Sequence, residues 1–471
     1  MKTDCTPTLF EMQPLGKRRV VAAFDGGTLT SDAGGLLLRE VEKRCGIIRL
    51  LSACFVDLRD PELIEHSVEE LVAQRIYALA LGYEDLNDHE DLRLDRLLAT
   101  LVGKEDPTGE SRARERDKGK PLAGKSTLNR LELGPPDKKE GSRYKKIVAM
   151  GEAVQALFVK LFLRAHRRAP KRIVLDLDAT DDPLHGQQEG RFFHGYYKEY
   201  CYLPLYIFCG DFLLCARLRQ SNIDVSEGSV EELSRIVKQI REAWPKVEIV
   251  VRGDAGFCRE SVMSWCEANG VHYILGLAKN ARLRRRIWRA MRKARKRYGI
   301  TGQASRVYVD FQYGTLRTWS RKRRVIGKAE YLAKGENPRF VVTSYSREAW
   351  DAQRLYEEEY CARGEMENRI KEQQLYLFAD RTSTHELWSN QLRLWFSSFA
   401  YLLLEGLRRL GLSGTEMAKA QCHTIRSRLL KLGARVWVST RRIVVSMASG
   451  YPHQHIFAAA YANLQKIPIW V

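Results

Sequence analysis

Three carboxylates in three different settings are the side chains best placed for chemistry. Asp178 lies at the end of an apolar run (IVLDLDATDD, from Ile173), Asp254 ends a second (VEIVVRGDAGF, from Val247), and Glu367 stands in a polar helical stretch, YCARGEMENRIKEQ from Tyr360. Each run can be buried as a strand and then stops at an acid. That leaves the carboxylate at the strand's carboxyl edge, half in solvent, where ligands sit in α/β sheets. Hard divalent cations such as magnesium or manganese take oxygen ligands. Two of them, roughly 3.5–4 Å apart, stabilise both the attacking and the leaving oxygen of an in-line phosphodiester displacement. Asp and Glu are the residue types this chemistry requires. Around Asp178, Asp176 points to the same strand face, so alternation alone does not separate the two.

The elements that must position these acids read as α/β from Lys171 onward. A strand ends near Asp178. Two β-rich runs (YCYLPLYIFCG and FLLCARLRQ) join at Gly210–Asp211, a helix covers about Val230 to Trp244, and a strand leads to Asp254. A helix near Arg259–Asn269 and the strand HYILGLA follow. Then comes ARLRRRIWRAMRKARKRYG, with ten Lys/Arg and no acid between Ala281 and Tyr298, and after it the β-like RVYVDFQYGTLRTWS and RFVVTSYS. Without interleaved Glu the basic segment lacks the i,i+4 pairs that steady an exposed charged helix, so phosphate contact is the better reading of Arg284, Arg285, Arg286, Arg289, Arg292 and Lys293.

Ahead of this, a glycine-rich opening (FDGGTLTSDAGG) precedes a helical pattern, ELIEHSVEELVAQRIYALALGY, with Pro61 just before it. The polar run KEDPTGESRARERDKGKP is expected as an exposed loop or linker. Ser126 or Thr127 is expected to cap a helix beginning at Leu128.

Composition narrows the partners. A chain of 471 residues exceeds what one core usually covers, and its 78 Lys/Arg against 58 Asp/Glu give a formal charge of +20 and a pI near 9.5. A polyanion is the implied partner, and nucleic acid leads because no run is long enough to span a bilayer. The longest apolar stretch, LWFSSFAYLLLEGL from Leu394, reads as a buried helix. The N-terminus lacks the continuous apolar segment and cleavage site of a secretory signal, so a cytoplasmic location is expected. Ten scattered cysteines contain no C-x-x-C pair and no zinc-ligand spacing, and read as reduced, mostly buried thiols. GKPLAGKS (Gly119–Ser126) matches the phosphate-loop pattern, but ESRARERDK before it cannot form the buried strand that motif needs. No G-x-S-x-G elbow is present, and His185 and His194 have no partner pattern for a nucleophile triad.

Around Glu367, the spacing of Tyr360, Arg363, Glu367 and Lys371 places them on one helical face, where an arginine one turn from a metal-binding glutamate can hold a DNA phosphate. The three contexts, their order and the β-like insertion resemble DDE transposases of bacterial insertion sequences, in particular the branch numbered 1380 of the group with a Tyr-x2-Arg-x3-Glu-x6-Lys signature. The matching text is LDLDATDDPLHG with FHGYYKEYCYLPLYIFCG, VVRGDAGF, YCARGEMENRIKE, and the N-terminal FDGGTLTSDAGGLLL, which together extend over most of the chain.

The resemblance implies an α/β, ribonuclease-H-like catalytic core with a mostly β insertion before the catalytic Glu and a largely helical N-terminal DNA-binding region. It implies Asp178, Asp254 and Glu367 as catalytic metal ligands for two Mg2+ or Mn2+ ions per site, with Tyr360 and Arg363 as signature partners. The family's Asp-x-Thr pattern falls on Asp178–Ala179–Thr180 and so selects Asp178. The signature's last Lys falls on Gln374, with Lys371 one turn nearer. Members of the wider group use a tryptophan of the insertion to hold a flipped base, for which Trp288 and Trp319 are candidates, although a core role is the better reading of each. The corresponding segments are 1–165 for DNA-end binding, 166–280 with 350–410 for the core, 281–349 for the basic and β-rich insertion, and 411–471 for a C-terminal region. Expected partners are double-stranded DNA, as terminal inverted repeats and target, and a second copy in a synaptic homodimer, with no membrane. The expected location is the bacterial cytoplasm, at the nucleoid. The activity implied is cleavage at element ends followed by strand transfer. The competing readings are a catalytically silent DNA-binding regulator and a stand-alone nuclease of the same fold.

Overall fold

A computed structural model of the chain describes residues 9–134 and 146–469. They form two compact units, one of residues 9–134, 146–148 and 399–469, the other of residues 149–398.

The first unit is mostly helical. Its helix Val68–Leu81 starts at a capping box: the Ser67 hydroxyl accepts from the Glu70 amide at 3.2 Å, and the Glu70 carboxylate accepts from the Ser67 amide at 2.9 Å. The helical pattern expected from Glu62 therefore begins later, and Pro61–Leu63 form only a 3-10 turn. The helix expected at Leu128 begins instead at Lys125. Gly124 stands at its N-cap, and the Glu90 carboxylate, 3.0 Å from the Lys125 amide, does the work expected of Ser126 or Thr127. No strand leads directly into Gly119, which follows a 3-10 turn at Glu115–Asp117. The glycine-rich opening packs against residues 428–436: the Ala33 amide donates to the Leu432 carbonyl at 3.0 Å, and a Cβ on Gly34 would fall 2.0 Å from the Leu429 carbonyl oxygen. Gly34 thus serves close backbone approach.

The second unit is built on a nine-stranded sheet. In chain order its main elements are α1 (Gly151–Ala165), β1 (Arg172–Ala179), β2 (Leu205–Cys209), β3 (Phe212–Arg217), α2 (Ser229–Ala243), β4 (Glu248–Gly253), α3 (Glu260–Ala268), β5 (His272–Leu277), α4 (Ala281–Arg286), α5 (Trp288–Thr301), β6 (Ser305–Tyr313), β7 (Arg323–Leu332), β8 (Arg339–Thr343) and α6 (Gly364–Leu377). The strand order is β3-β2-β1-β4-β5-β8-β7-β6, with a short strand at Gly335–Glu336 on β7. β1, β4 and β5 run parallel, whereas β2 and β3 on one flank and β8, β7 and β6 on the other pair antiparallel.

Period-two alternation divides the sheet into two faces. Ile173, Leu175 and Leu177 of β1, Ile249 and Val251 of β4, and Tyr273 and Leu275 of β5 enter the larger core with α1, α2 and α3. Val250, Ile274, Ile326 and Val341 face the other way and pack under Leu355 and Tyr356. Asp176, Asp178, Arg252, Asp254 and Gly276 belong by parity to this second face, so the sequence Leu355–Glu367 runs over the acids.

Candidate active site

Asp178 is the penultimate residue of β1, and Asp254 follows the last residue of β4. The parallel register pairs Gly253 with Leu177, so the next residue on each strand is the acid, and the two carboxylates share one sheet edge. Glu367 lies in the first turn of α6. Arg363 joins the set: its guanidinium is 3.4 Å from Asp178 Oδ2 and 2.6 Å from Glu367 Oε1. Tyr360 and Arg363 precede α6 in a π turn (Leu355–Tyr360) and a 3-10 turn (Cys361–Arg363), so the regular helical face expected for Tyr360 through Lys371 is interrupted. Such π segments inside helical runs concentrate at functional sites. Lys371 is exposed and makes no hydrogen bond or ion pair among the described residues.

Burial pushes the Asp178 carboxyl up to about 7; Arg363 opposes the rise, and Asp254 and Glu367 add to it. Burial works against the charge of Arg363, but Asp178 and Glu367 outweigh it and hold its pKa above the usual value. The carboxylates repel one another, and one guanidinium relieves that repulsion. Among the described residues, no three His, Cys, Asp or Glu side chains stand in a ready metal-holding group. The donor set nevertheless fits hard divalent cations: it is all oxygen, and only one oxygen of Asp254 is engaged, Oδ1 by the Gly256 amide at 2.8 Å.

Asp176 has a different task. Arg252, its cross-strand neighbour on β4, pairs with both of its oxygens, at 2.7 Å for the Nη2–Oδ2 contact, and also donates to the Glu359 carbonyl. The pair is buried and ties β1 and β4 to the segment leading into α6. Sequence reasoning missed Arg252, although a lone arginine inside an apolar strand two residues before Asp254 was a visible signal. It also missed the role of Gln374. The Gln374 amide donates at 3.0 Å to the Asp181 carbonyl and at 3.0 Å to Asp182 Oδ1, holding the loop that follows Asp178.

A cavity of about 550 Å3 opens beside Asp254, lined among others by Lys279, Arg339, Tyr356, Tyr360 and Arg363. Gly276 on β5 forms part of its wall, and a Cβ there would come within 2.7 Å of Tyr360 Oη. The basic segment forms α4 and α5. Leu283, Ile287, Met291 and Ala294 are buried, whereas Arg284, Arg285, Arg286, Arg289, Arg292 and Lys293 are all exposed. None of these six joins the carboxylates. Trp288 is exposed, with Arg289 and Arg292 each 5.5 Å from its ring, whereas Trp319 is half-buried, edge-on to Tyr313. No helix among the described residues is long and apolar enough to cross a membrane.

No curated protein matches the chain. Among solved structures, the piggyBac transposase synaptic complex with hairpin DNA is similar at 11% identity, over 84% of this chain and 79% of that chain, with a TM-score of 0.40. Residues 12–469 match the family described as Transposase DDE domain group 1, and with that match running through both units the chain belongs to this transposase family.

Proposed function

We propose that the chain is a DDE transposase of a bacterial insertion sequence, of the branch numbered 1380, which cleaves DNA at the ends of its element and joins the freed 3′ hydroxyl to target DNA. The observation that carries this reading is the convergence of Asp178, Arg363 and Glu367 beside Asp254 in a chain of this family. The strand order β3-β2-β1-β4-β5, with β2 antiparallel and β4 and β5 parallel to β1, supports a ribonuclease-H-like core extended by β8, β7 and β6.

In this reading Asp178, Asp254 and Glu367 would hold two Mg2+ or Mn2+ ions, which would supply charge stabilisation to the reacting phosphate oxygens. Arg363 is placed to donate to a phosphate oxygen at the same edge. Arg252 fixes Asp176 and so the end of β1, and Gln374 fixes the loop beyond it. Water is the nucleophile in cleavage and a 3′ hydroxyl in joining, with no covalent protein–DNA intermediate. The exposed cations of α4 and α5 contact phosphates without reading sequence. The partners are terminal inverted repeats, target DNA and a second copy in the synaptic complex, and the work is done at the nucleoid.

The test is an excision and integration assay on a donor carrying the element's ends, comparing wild type with Asp178→Asn, Asp254→Asn and Glu367→Gln. Each change removes a charge and a ligand but little volume. Loss of cleavage with duplex binding retained is expected, and activity surviving all three single changes would overturn the assignment.

A further inference from the structure

The C-terminal end of the chain is chemically one-sided: from Met417 to Val471 there is no Asp or Glu, against eight Lys and Arg. Some of these cations are structural. Lys431 pairs with Asp32 at 2.7 Å, and Arg426 donates to the Leu79 and Ala80 carbonyls. Others are not. Arg435, Arg441 and Arg442 are exposed and make no ion pair with any described carboxylate.

These three sit on a hairpin of strands Ala434–Ser439 and Arg442–Met447, registered Arg435 to Ser446, Trp437 to Val444 and Ser439 to Arg442. Alternation buries Ala434 and Val436 and turns Arg435, Trp437 and Ser439 outward. Trp437 is 59% exposed and makes no ring contact among the described residues. Among the described residues the hairpin is anchored along the first half of its first strand, by Leu29–Thr30 opposite Ala434 and Arg435 and by the Val436 amide, which donates to the Thr28 carbonyl at 2.9 Å. The result is a projecting two-stranded ribbon with arginines, an aromatic ring and no acid on its outer face.

Two plainer roles compete. Arginines can guard an exposed edge strand such as Arg442–Met447 against aggregation. An apolar patch with Trp437 and Val444 can also be a subunit contact. A two-fold contact, however, would set this face against its own copy, bringing like charges together with no carboxylate to answer them. A duplex supplies the missing negative charge. Its major groove admits a two-stranded ribbon, and guanidinium groups bond phosphate oxygens bidentately. We therefore propose that the hairpin Ala434–Met447 is a second DNA-contacting element, with Arg435, Arg441 and Arg442 on phosphates and Trp437 against the sugars or base edges. The proposal rests on the DNA-processing reading above.

The test uses the full chain and measures duplex binding across a salt series. Replacing the three arginines by alanine should lower the slope of log K against log salt by about 2–3, at roughly 0.9 per phosphate contact. Replacing them by lysine should keep the slope. Trp437→Ala should weaken binding about tenfold without moving it. A folded alanine variant with unchanged slope overturns the proposal. So does one that aggregates or falls from dimer to monomer while binding as wild type, because the hairpin would then be a guarded edge or a subunit contact. If alanines at Arg284, Arg285 and Arg286 lower the slope while the hairpin variants do not, the hairpin proposal alone fails. If the wild type binds no duplex at all, the DNA-processing reading fails with it.

Discussion

Gly276→Ala is the sharpest probe of how the acids are positioned. The glycine sits on β5, paired with Val341 of β8 and one residue beyond the last β4 pair, Gly253 with Leu275, so the strand itself has little freedom to move. A Cβ at this position would lie 2.7 Å from Tyr360 Oη, 2.9 Å from the Ala255 amide nitrogen and 3.1 Å from the Asp254 carbonyl carbon. Ordinary contact is about 3.5 Å or more, so relief requires the Asp254–Ala255 turn to retreat by roughly 0.5 Å and the Tyr360 ring by somewhat more. Overpacking of this kind costs about 1–3 kcal/mol, which in a unit of this size lowers Tm by a few degrees. The larger effect falls on chemistry, since misplacing a reacting group by about 1 Å costs up to about 100-fold in rate. Metal-dependent cleavage of a labelled donor end should therefore fall tens-of-fold, while duplex binding by fluorescence anisotropy stays at the wild-type level. Because the nearest backbone contact remains after Tyr360→Phe, the double variant should cleave no better than Gly276→Ala. Cleavage within twofold of wild type, or recovery in the double variant, would refute the claim that the Asp254 turn is what yields.

Arg252→Met strands the buried Asp176 carboxylate and should cost about 3–5 kcal/mol in chemical denaturation, most of it regained when Asp176→Leu is added; no recovery would show that the pair is not the cause. Gln374→Ala releases the Asp181–Asp182 loop; cleavage should drop several-fold while stability changes by only about 1–2 kcal/mol, and a variant that cleaves normally would remove Gln374 from the positioning machinery. In the first unit burial lowers both His66 and His89 to about 3, helped by Lys104 and Arg112 for the former and Arg75 for the latter. Their neutral forms favour the fold, so that contribution is complete above the unfolded value of 6.5 and drains away as pH falls toward 3. Urea midpoints should thus fall more steeply below about pH 6.5 in wild type than in a His66→Gln/His89→Gln variant, by up to about 1.4 kcal/mol per pH unit for each histidine; parallel curves would contradict the assignment.

What the sequence showed depended on whether a signal was local. β1 and β4 were legible because an apolar run ending at an acid is complete within ten residues, and the hairpin at Gly210–Asp211 because a turn glycine at positive φ separates two apolar runs containing aromatic residues. The amphipathic character of α4 and α5 was less so, because a stretch dense in arginine conceals the apolar positions Leu283, Ile287, Met291 and Ala294 that pack the two helices down. The helix start at Lys125 slipped because a side chain distant in sequence, Glu90, does the capping, whereas the start at Val68 is set by a local capping box at Ser67 and Glu70. The basic hairpin at 434–447 carries its signal as missing acids spread over fifty-five residues, a pattern that a search for dense charge runs passes over.

Asp176 and Asp178 show why such a site is only half written in its own strand. They share a run, a face and a residue type, and nothing within β1 distinguishes them. Their environments differ because of residues far along the chain. Arg252, seventy-six residues on, reaches Asp176 and occupies both of its oxygens, whereas Arg363, 185 residues on, touches one oxygen of Asp178 and shares itself with Glu367. A carboxylate saturated by a buried bidentate partner is a structural tie, since removing either member leaves an uncompensated charge. A carboxylate with a single shared guanidinium and the further acids Asp254 and Glu367 around it carries unbalanced negative potential at the sheet edge. Divalent cations and phosphate chemistry need the second condition. On this argument, giving Asp176 the freedom of Asp178 by Arg252→Met should not create a substitute ligand, and the Asp178→Asn variant should stay inactive in that background.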